Sequence, residues 1–247
     1  MFRLATVTQW WEISRNFPLL RQQAHRGSLK ALGYAHVLNQ ILTHKPKRLL
    51  EFGHGYGSPL FHLLDAEMEF WAIDDFVEVP YWTREKFEEN RQKVEPRFPR
   101  IHFVRGLMGA GRNELPAGHF DMVCSVSVLE ELAAEEITKV VADAARALKV
   151  GGIFANSMDL TTRYTERVEH FFRCHCSYGF EWLDSSCDGS LEWNMHEVAF
   201  EDPCYVMQVY MGYQSDEGRQ WPGNFCTVLS AARKCAFLGR LWKRLGG

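Results

Sequence analysis

The sequence predicts an α/β fold in which a doubly wound, mostly parallel sheet is covered by helices on both faces. Three observations carry that expectation. Short apolar runs alternate with helix-periodic segments through the middle of the chain. The first run is followed at once by a turn with glycine at every second position, in "LLEFGHGYGS". The next two runs stop at Asp74–Asp75 and at Gly106. Strands separated by helices of this length form βαβ units, whose right-handed crossovers cover the sheet on both sides.

The elements follow in order. "KRLLEF" is the first strand, and Pro59 suits the first turn of the helix "SPLFHLLDAE". "EFWAID" is the second strand and the charged "YWTREKFEENRQKV" its helix. "RIHFV" is the third and "FDMVCSVS" the fourth. The segment "VLEELAAEEITKVVADAARALK" repeats its apolar positions at helical spacing, and Gly151 and Gly152 are expected to end that helix before "IFANSM", the fifth strand. Upstream, "FRLATVTQWWEISRNF" and "GSLKALGYAHVLNQIL" read as helices.

Bulk properties narrow the class. The chain has 247 residues, with 46% hydrophobic and 24% charged, an ordinary globular composition with room for a sizeable core. A formal net charge of -3 provides no basic field for nucleic acid. Seven scattered cysteines, with Cys124 inside an apolar strand, fit reduced thiols rather than a disulfide framework. With no apolar stretch of signal-peptide or membrane-spanning length, the expectation is a cytoplasmic protein.

Open α/β sheets bind ligands outside the carboxyl ends of their strands, where the strand order reverses. The glycine turn lies there, so a nucleotide-like ligand is expected over bare backbone. A dinucleotide fingerprint, G-x-G-x-x-G, would need a glycine where Ser58 stands. Asp74, ending the second strand, suits a ribose in either ligand class.

The succession "LLEFGHGYGS", "FWAIDD", "IHFVRG", "FDMVCSVSVLEEL" and "ALKVGGIF" resembles the class I S-adenosylmethionine-dependent methyltransferases. It covers residues 30–158 strongly and "FCTVLSAARK" more weakly. The resemblance implies a Rossmann-like sheet of seven strands, the last antiparallel, and S-adenosyl-L-methionine as cofactor. Glu51, Gly53, Gly55 and Gly57 match the acid-plus-glycine turn beneath the methionine part, and Asp74 the acid holding the ribose hydroxyls. Asp75 is placed near the adenine edge. Gly106 matches the turn beside the adenine, where Leu107 replaces an acid often found in the family. Ser125 falls where backbone groups face the cofactor.

Methyl transfer moves carbon in line from a sulfonium to a nucleophile, and a hydroxyl or ammonium acceptor also needs a base. In "VLEEL", Glu131 stands where family members acting on small molecules often carry histidine. It is the leading base candidate, followed by Glu130 and Asp159. The plainer reading is that acids in a helix's first turn stabilise its dipole. His54 is read either as reaching substrate or as a solvent-facing loop residue. The cluster "HFFRCHCSYGF" (His170, Cys174, His175, Cys176) lacks the spacing of a zinc site, so no metal is expected.

The expected organisation is an N-terminal helical flank at 1–46, the methyltransferase domain at 47–235 with an insertion at about 187–223, and a basic amphipathic tail at 236–247. The insertion carries Trp193, His196, Tyr210, Tyr213 and Trp221, which are suited to an acceptor pocket or a homodimer contact as well as to packing. Trp10 and Trp11 are read as packing or as a substrate wall. In the tail, Phe237, Leu241, Trp242 and Leu245 form one stripe among Arg240, Lys243 and Arg244. That pattern fits docking on protein, or peripheral contact with an anionic membrane. The function expected is methylation of an oxygen or nitrogen on a small molecule or glycan, with nucleic acid disfavoured as acceptor. The rivals are a non-catalytic scaffold of the same fold and an NAD-dependent oxidoreductase.

Overall fold

The computed structural model describes residues 2–4, 17, 29–63, 67–75, 83–111, 115–158, 167, 170, 171, 174, 176–182 and 227–233. Five parallel strands form the middle of one sheet. They are β2 (Arg48–Phe52), β3 (Glu69–Asp74), β4 (Ile101–Arg105), β5 (Phe120–Val126) and β6 (Leu148–Met158). Their spatial order is β6-β5-β2-β3-β4, so the chain reverses direction across the sheet between β2 and β5. β8 (Thr227–Arg233) pairs antiparallel with β6. β1 (Phe2–Leu4) and β7 (Phe180–Trp182) both pair antiparallel with β8.

Two helices supply the layers. α1 (Leu29–His44) presses Tyr34, Val37, Leu38 and Ile41 onto Leu49, Met122 and Cys124 on one face. α4 (Ala134–Ala147) presses Ile137, Val140, Val141 and Ala144 onto Leu50, Val123 and Phe154 on the other. The alternation of Leu49 with Leu50 is the period-two pleat sending neighbours to opposite cores. α2 (Leu60–Leu63) follows the glycine turn. α3 (Arg84–Val94) starts at Thr83, whose hydroxyl accepts from the Lys86 amide, as helix-capping chemistry requires.

Three expectations change. Phe2–Leu4 is a strand rather than the start of a helix, and the sheet among the described residues has eight strands rather than seven. Gly151 and Gly152 do not end a helix. α4 stops at Ala147 and β6 begins at the next residue. The glycines lie inside β6, opposite a register shift between Phe120 and Met122, and Gly151 takes φ +79° there. A Cβ on Gly152 would come within 2.9 Å of Leu148 Cδ2 and 3.1 Å of the Phe120 carbonyl oxygen, so the irregular strand, and not a cap, requires glycine. The insertion at 187–223, the tail, Trp10 and Trp11 lie outside the described residues.

Candidate active site

The glycine turn leaves β2 at the strand-order reversal. Gly53 sits at φ +71°, and a Cβ there would lie 2.4 Å from Val128 Cγ2. This glycine answers to the protein itself, because the turn after β5 packs directly on it. Gly55 and Gly57 differ: a Cβ on either meets no described atom within 4 Å. Among the described residues space is left above these two, as a backbone approached by a ligand requires. Tyr56 between them takes φ +56°, uncommon for a bulky residue, and donates from its hydroxyl to Glu95 Oε1 at 2.7 Å. The turn is therefore pinned to the segment following α3.

Asp74 ends β3 and accepts from the Gly55 amide through Oδ2 at 2.8 Å. Gly106 donates its amide to the Asp74 carbonyl at 2.9 Å, which brings the ends of β3 and β4 together. Asp75 and Leu107 are half-buried at these two strand ends. Glu51, Gly53, Gly55, Gly57, Asp74, Asp75, Gly106 and Leu107 thus line the carboxyl ends of three adjacent strands.

Glu51 is 1% exposed. Its Oε1 accepts from the Tyr34 hydroxyl at 3.2 Å, while Oε2 makes no hydrogen bond among the described residues. Burial raises its pKa to about 8, with the nearby Ser58 and Tyr34 hydroxyls pulling down and the Asp74 carboxylate pushing up. Burial followed by the charge of Glu51 raises both Tyr34 and Cys124 above their ordinary values. Tyr34 reaches this acid because its neighbour is Gly33. A Cβ on Gly33 would stand 2.6 Å from Val126 Cγ1, so α1 rests almost directly on the sheet.

His54 is not solvent-facing. It is 3% exposed, ringed by Tyr56, Phe61 and Phe103, with Nδ1 accepting from the Tyr56 amide at 3.0 Å. Burial lowers its pKa to about 3, so the ring is neutral and carries its proton on Nε2.

The turn after β5 holds the other candidates. Ser125 is fully buried and donates to Asn156 Oδ1 at 2.8 Å, tying β5 to β6. Leu129–Glu131 form one turn of 3₁₀ helix, with Glu130 buried and Glu131 exposed. Arg167 donates to the main-chain carbonyls of Glu130 at 2.9 Å and Glu131 at 3.1 Å. Asp159 lies outside the described residues. His170 bonds Thr138 Oγ1 at 2.8 Å. Sequence reasoning did not find Tyr34, Val128 or Arg167, since an apolar-flanked Tyr reads as core and an isolated Arg carries no motif.

Residues 50–156 match a family model described as methyltransferase domain. No curated protein matches the chain in sequence. Among solved structures, the 4+2 cyclase SpnF aligns with TM-score 0.52 at 16% identity, covering 93% of this chain and 97% of that one. A putative sarcosine dimethylglycine methyltransferase from Galdieria sulphuraria aligns with TM-score 0.49 at 16% identity, covering 81% and 84%. A TehB-like SAM-dependent methyltransferase from Corynebacterium glutamicum aligns with TM-score 0.46 at 18% identity, covering 69% and 84%.

Proposed function

From the match of residues 50–156 to a methyltransferase-domain model, we propose that this chain is a class I S-adenosylmethionine-dependent methyltransferase that methylates an oxygen or nitrogen of a small molecule or glycan. S-adenosylmethionine is the cofactor, and it supplies an electrophilic methyl group on a cationic sulfur. The observation that supports the reading most is the open backbone at Gly55 and Gly57, flanked by Asp74, at the reversal between β2 and β5. In this reading Asp74 would accept from the ribose hydroxyls, whose bidentate demand a carboxylate meets. Asp75 and Leu107 would border the adenine. Glu51, buried with one oxygen unbonded among the described residues, would face the amino-acid end.

Glu131 is assigned the base. It is exposed on the turn across the reversal, and the Arg167 bonds fix the main chain that carries it. A carboxylate there would take the acceptor's proton or orient its lone pair. Glu130 is buried beside it, and Asp159 remains a candidate from sequence. The aromatic insertion at 187–223 is proposed to shape the acceptor pocket or a homodimer contact, and the basic tail to dock on protein or on an anionic surface. Among the described residues no helix is long and apolar enough to cross a membrane.

The structural neighbour SpnF is described as a cyclase, so binding and turnover need separate tests. The test is production of S-adenosylhomocysteine from S-adenosylmethionine over a panel of hydroxyl and amine acceptors. Acceptor-dependent product supports the reading. Tight cofactor binding with no product on any acceptor would favour a non-methylating use of the fold.

A further inference from the structure

Charge and exposed apolar groups are sorted between the two edges of the sheet. The carboxyl edge, where the glycine turn lies, carries Asp74, Asp75, Glu130 and Glu131 beside Arg105 and Arg167. The segments that enter the five parallel strands from the opposite edge carry exposed Lys45, Lys47, Arg48, Arg100 and Lys149. The acids there are Glu67, Glu69 and Asp121, and the last two are engaged. Asp121 accepts from the Lys47 and Arg48 amides at 2.8 and 2.9 Å and pairs with Lys149. Glu69 pairs with Arg48 at 3.5 Å and with His119 at 2.9 Å. Three large apolar side chains are exposed among the described residues: Leu42 at 57%, Val150 at 55% and Tyr178 at 37%. All three lie at this amino edge. Leu42 is in the last turn of α1, which leads into β2, and Val150 is the third residue of β6. Tyr178 stands two residues before Phe180, which pairs with Arg233 at the end of the antiparallel β8.

β8 delivers the chain to the same edge, and residues 234–247 that follow it hold Lys234, Arg240, Lys243 and Arg244 with no acid. The same stretch repeats Phe237, Leu241, Trp242 and Leu245 at helical spacing. We propose that the amino edge of the sheet, continued by residues 234–247, is a docking surface for an anionic phospholipid membrane. Basic residues close to an anionic leaflet are attracted to it, and exposed apolar side chains gain by entering the headgroup boundary. Nucleic acid would answer the charge but gives Leu42 and Val150 no apolar medium to enter. Lys45 takes φ +47° where helices commonly stop on glycine, and its amide closes the last turn of α1 onto the Ile41 carbonyl at 2.8 Å. That position holds a cation at a cost in backbone strain. The whole chain has a formal net charge of -3, so the sorting of charge, rather than its total, sets the orientation of docking. The cofactor edge then faces away from the bilayer, about 20 Å along the strands from the docked edge. The acceptor is met from the aqueous side.

The test is co-sedimentation of the full chain with vesicles of phosphatidylcholine alone or mixed with phosphatidylserine. Wild type is expected to bind the mixed vesicles, to leave them in high salt and to ignore the neutral ones. Lys45→Gln with Lys47→Gln removes two charges while the Lys47 amide keeps its bond to Asp121, and is expected to weaken partitioning about tenfold. Leu42→Ser with Val150→Ser is expected to weaken it about fivefold, with an unchanged dependence on salt. Thermal melts check that each variant is folded. Wild-type partitioning in both of these variants, with loss only in Lys243→Gln with Arg244→Gln, would overturn the proposal, because the sheet edge would then play no part. Equal binding to neutral vesicles, or no binding to either kind by folded wild type, would overturn it too. Tighter retention on an oligonucleotide duplex than on the mixed vesicles, unaffected by Leu42→Ser with Val150→Ser, would overturn it in favour of nucleic acid. None of these outcomes bears on methyl transfer, which is read from S-adenosylhomocysteine production.

Discussion

The turns after β2 and after β5 face each other across the strand-order reversal and treat their acids in opposite ways. At the end of β2, Glu51 is buried under α1, with the Tyr34 hydroxyl on Oε1 and, among the described residues, no hydrogen bond within range of Oε2. Behind β5, Glu131 stands exposed, and Arg167 donates to its main-chain carbonyl. A buried acid shifts its protonation unless something compensates its charge, so its chemistry belongs to whatever enters the site. An exposed acid stands where solvent and an incoming acceptor can reach it. The difference matches the division of labour proposed above, in which one side binds and the other reacts. Val128 on Gly53 is the contact that joins them.

The largest effect should come from breaking that contact. Gly53→Ala forces a Cβ to 2.4 Å from Val128 Cγ2 at φ +71°, and destabilisation of about 2–4 kcal/mol is expected by denaturant titration. Val128→Ala in the same chain should recover part of it, since the clash is relieved while the dihedral cost remains. Next, Glu131→Gln should reduce turnover about a hundredfold on the true acceptor while cofactor affinity stays within twofold. Equal turnover in that variant would remove the reactive role from this side.

Gly57→Ala sharpens the comparison from within one turn. Its Cβ meets no described atom, so stability should stay within about 0.5 kcal/mol while cofactor affinity falls about tenfold. Loss of stability comparable to Gly53→Ala would mean that all three glycines answer to folding. A further effect is in pH. Glu51 holds its proton more tightly when folded, so between its ordinary 4.5 and about 8 stability falls as pH rises. His54 binds its proton less tightly when folded, so between about 3 and its ordinary 6.5 stability rises with pH. The two oppose each other from 4.5 to 6.5. From 6.5 to 8 only Glu51 acts, at up to about 1.4 kcal/mol per pH unit for the empty protein. Glu51→Gln should flatten that limb, as followed by denaturant midpoints at fixed pH.

The strands of the central sheet were legible because each is a short apolar run bounded by glycine, acid or charge. "EFWAID" is β3 residue for residue, and "KRLLEF" differs from β2 only by Lys47. β1 was not legible. Three residues carry no period, and their partner strand is Thr227–Arg233 at the far end of the sequence. The boundary at Gly151–Gly152 misled for a physical reason, since paired glycines serve a strand irregularity as well as a helix end. At the site, Asp74 and the glycine turn could be read from order alone. Which glycine faces protein and which does not could not, because that depends on Val128 approaching from the turn after β5. Burial of Glu51 and His54 is likewise a product of packing by α1 and by Phe61 and Phe103.

The most direct test of the binding side is calorimetric titration of S-adenosylhomocysteine into wild type and Asp74→Ala, with thermal melts to confirm folding. Asp74 bonds the Gly55 amide at 2.8 Å and is assigned the ribose hydroxyls. Charge-assisted bonds of this kind contribute about 1.5–3 kcal/mol each, so losing them should weaken binding at least about a hundredfold. The account predicts one-to-one micromolar binding by wild type and none measurable in the variant, which still melts cooperatively as a folded protein. Equal affinity in the two folded proteins, or no binding by either, would contradict it.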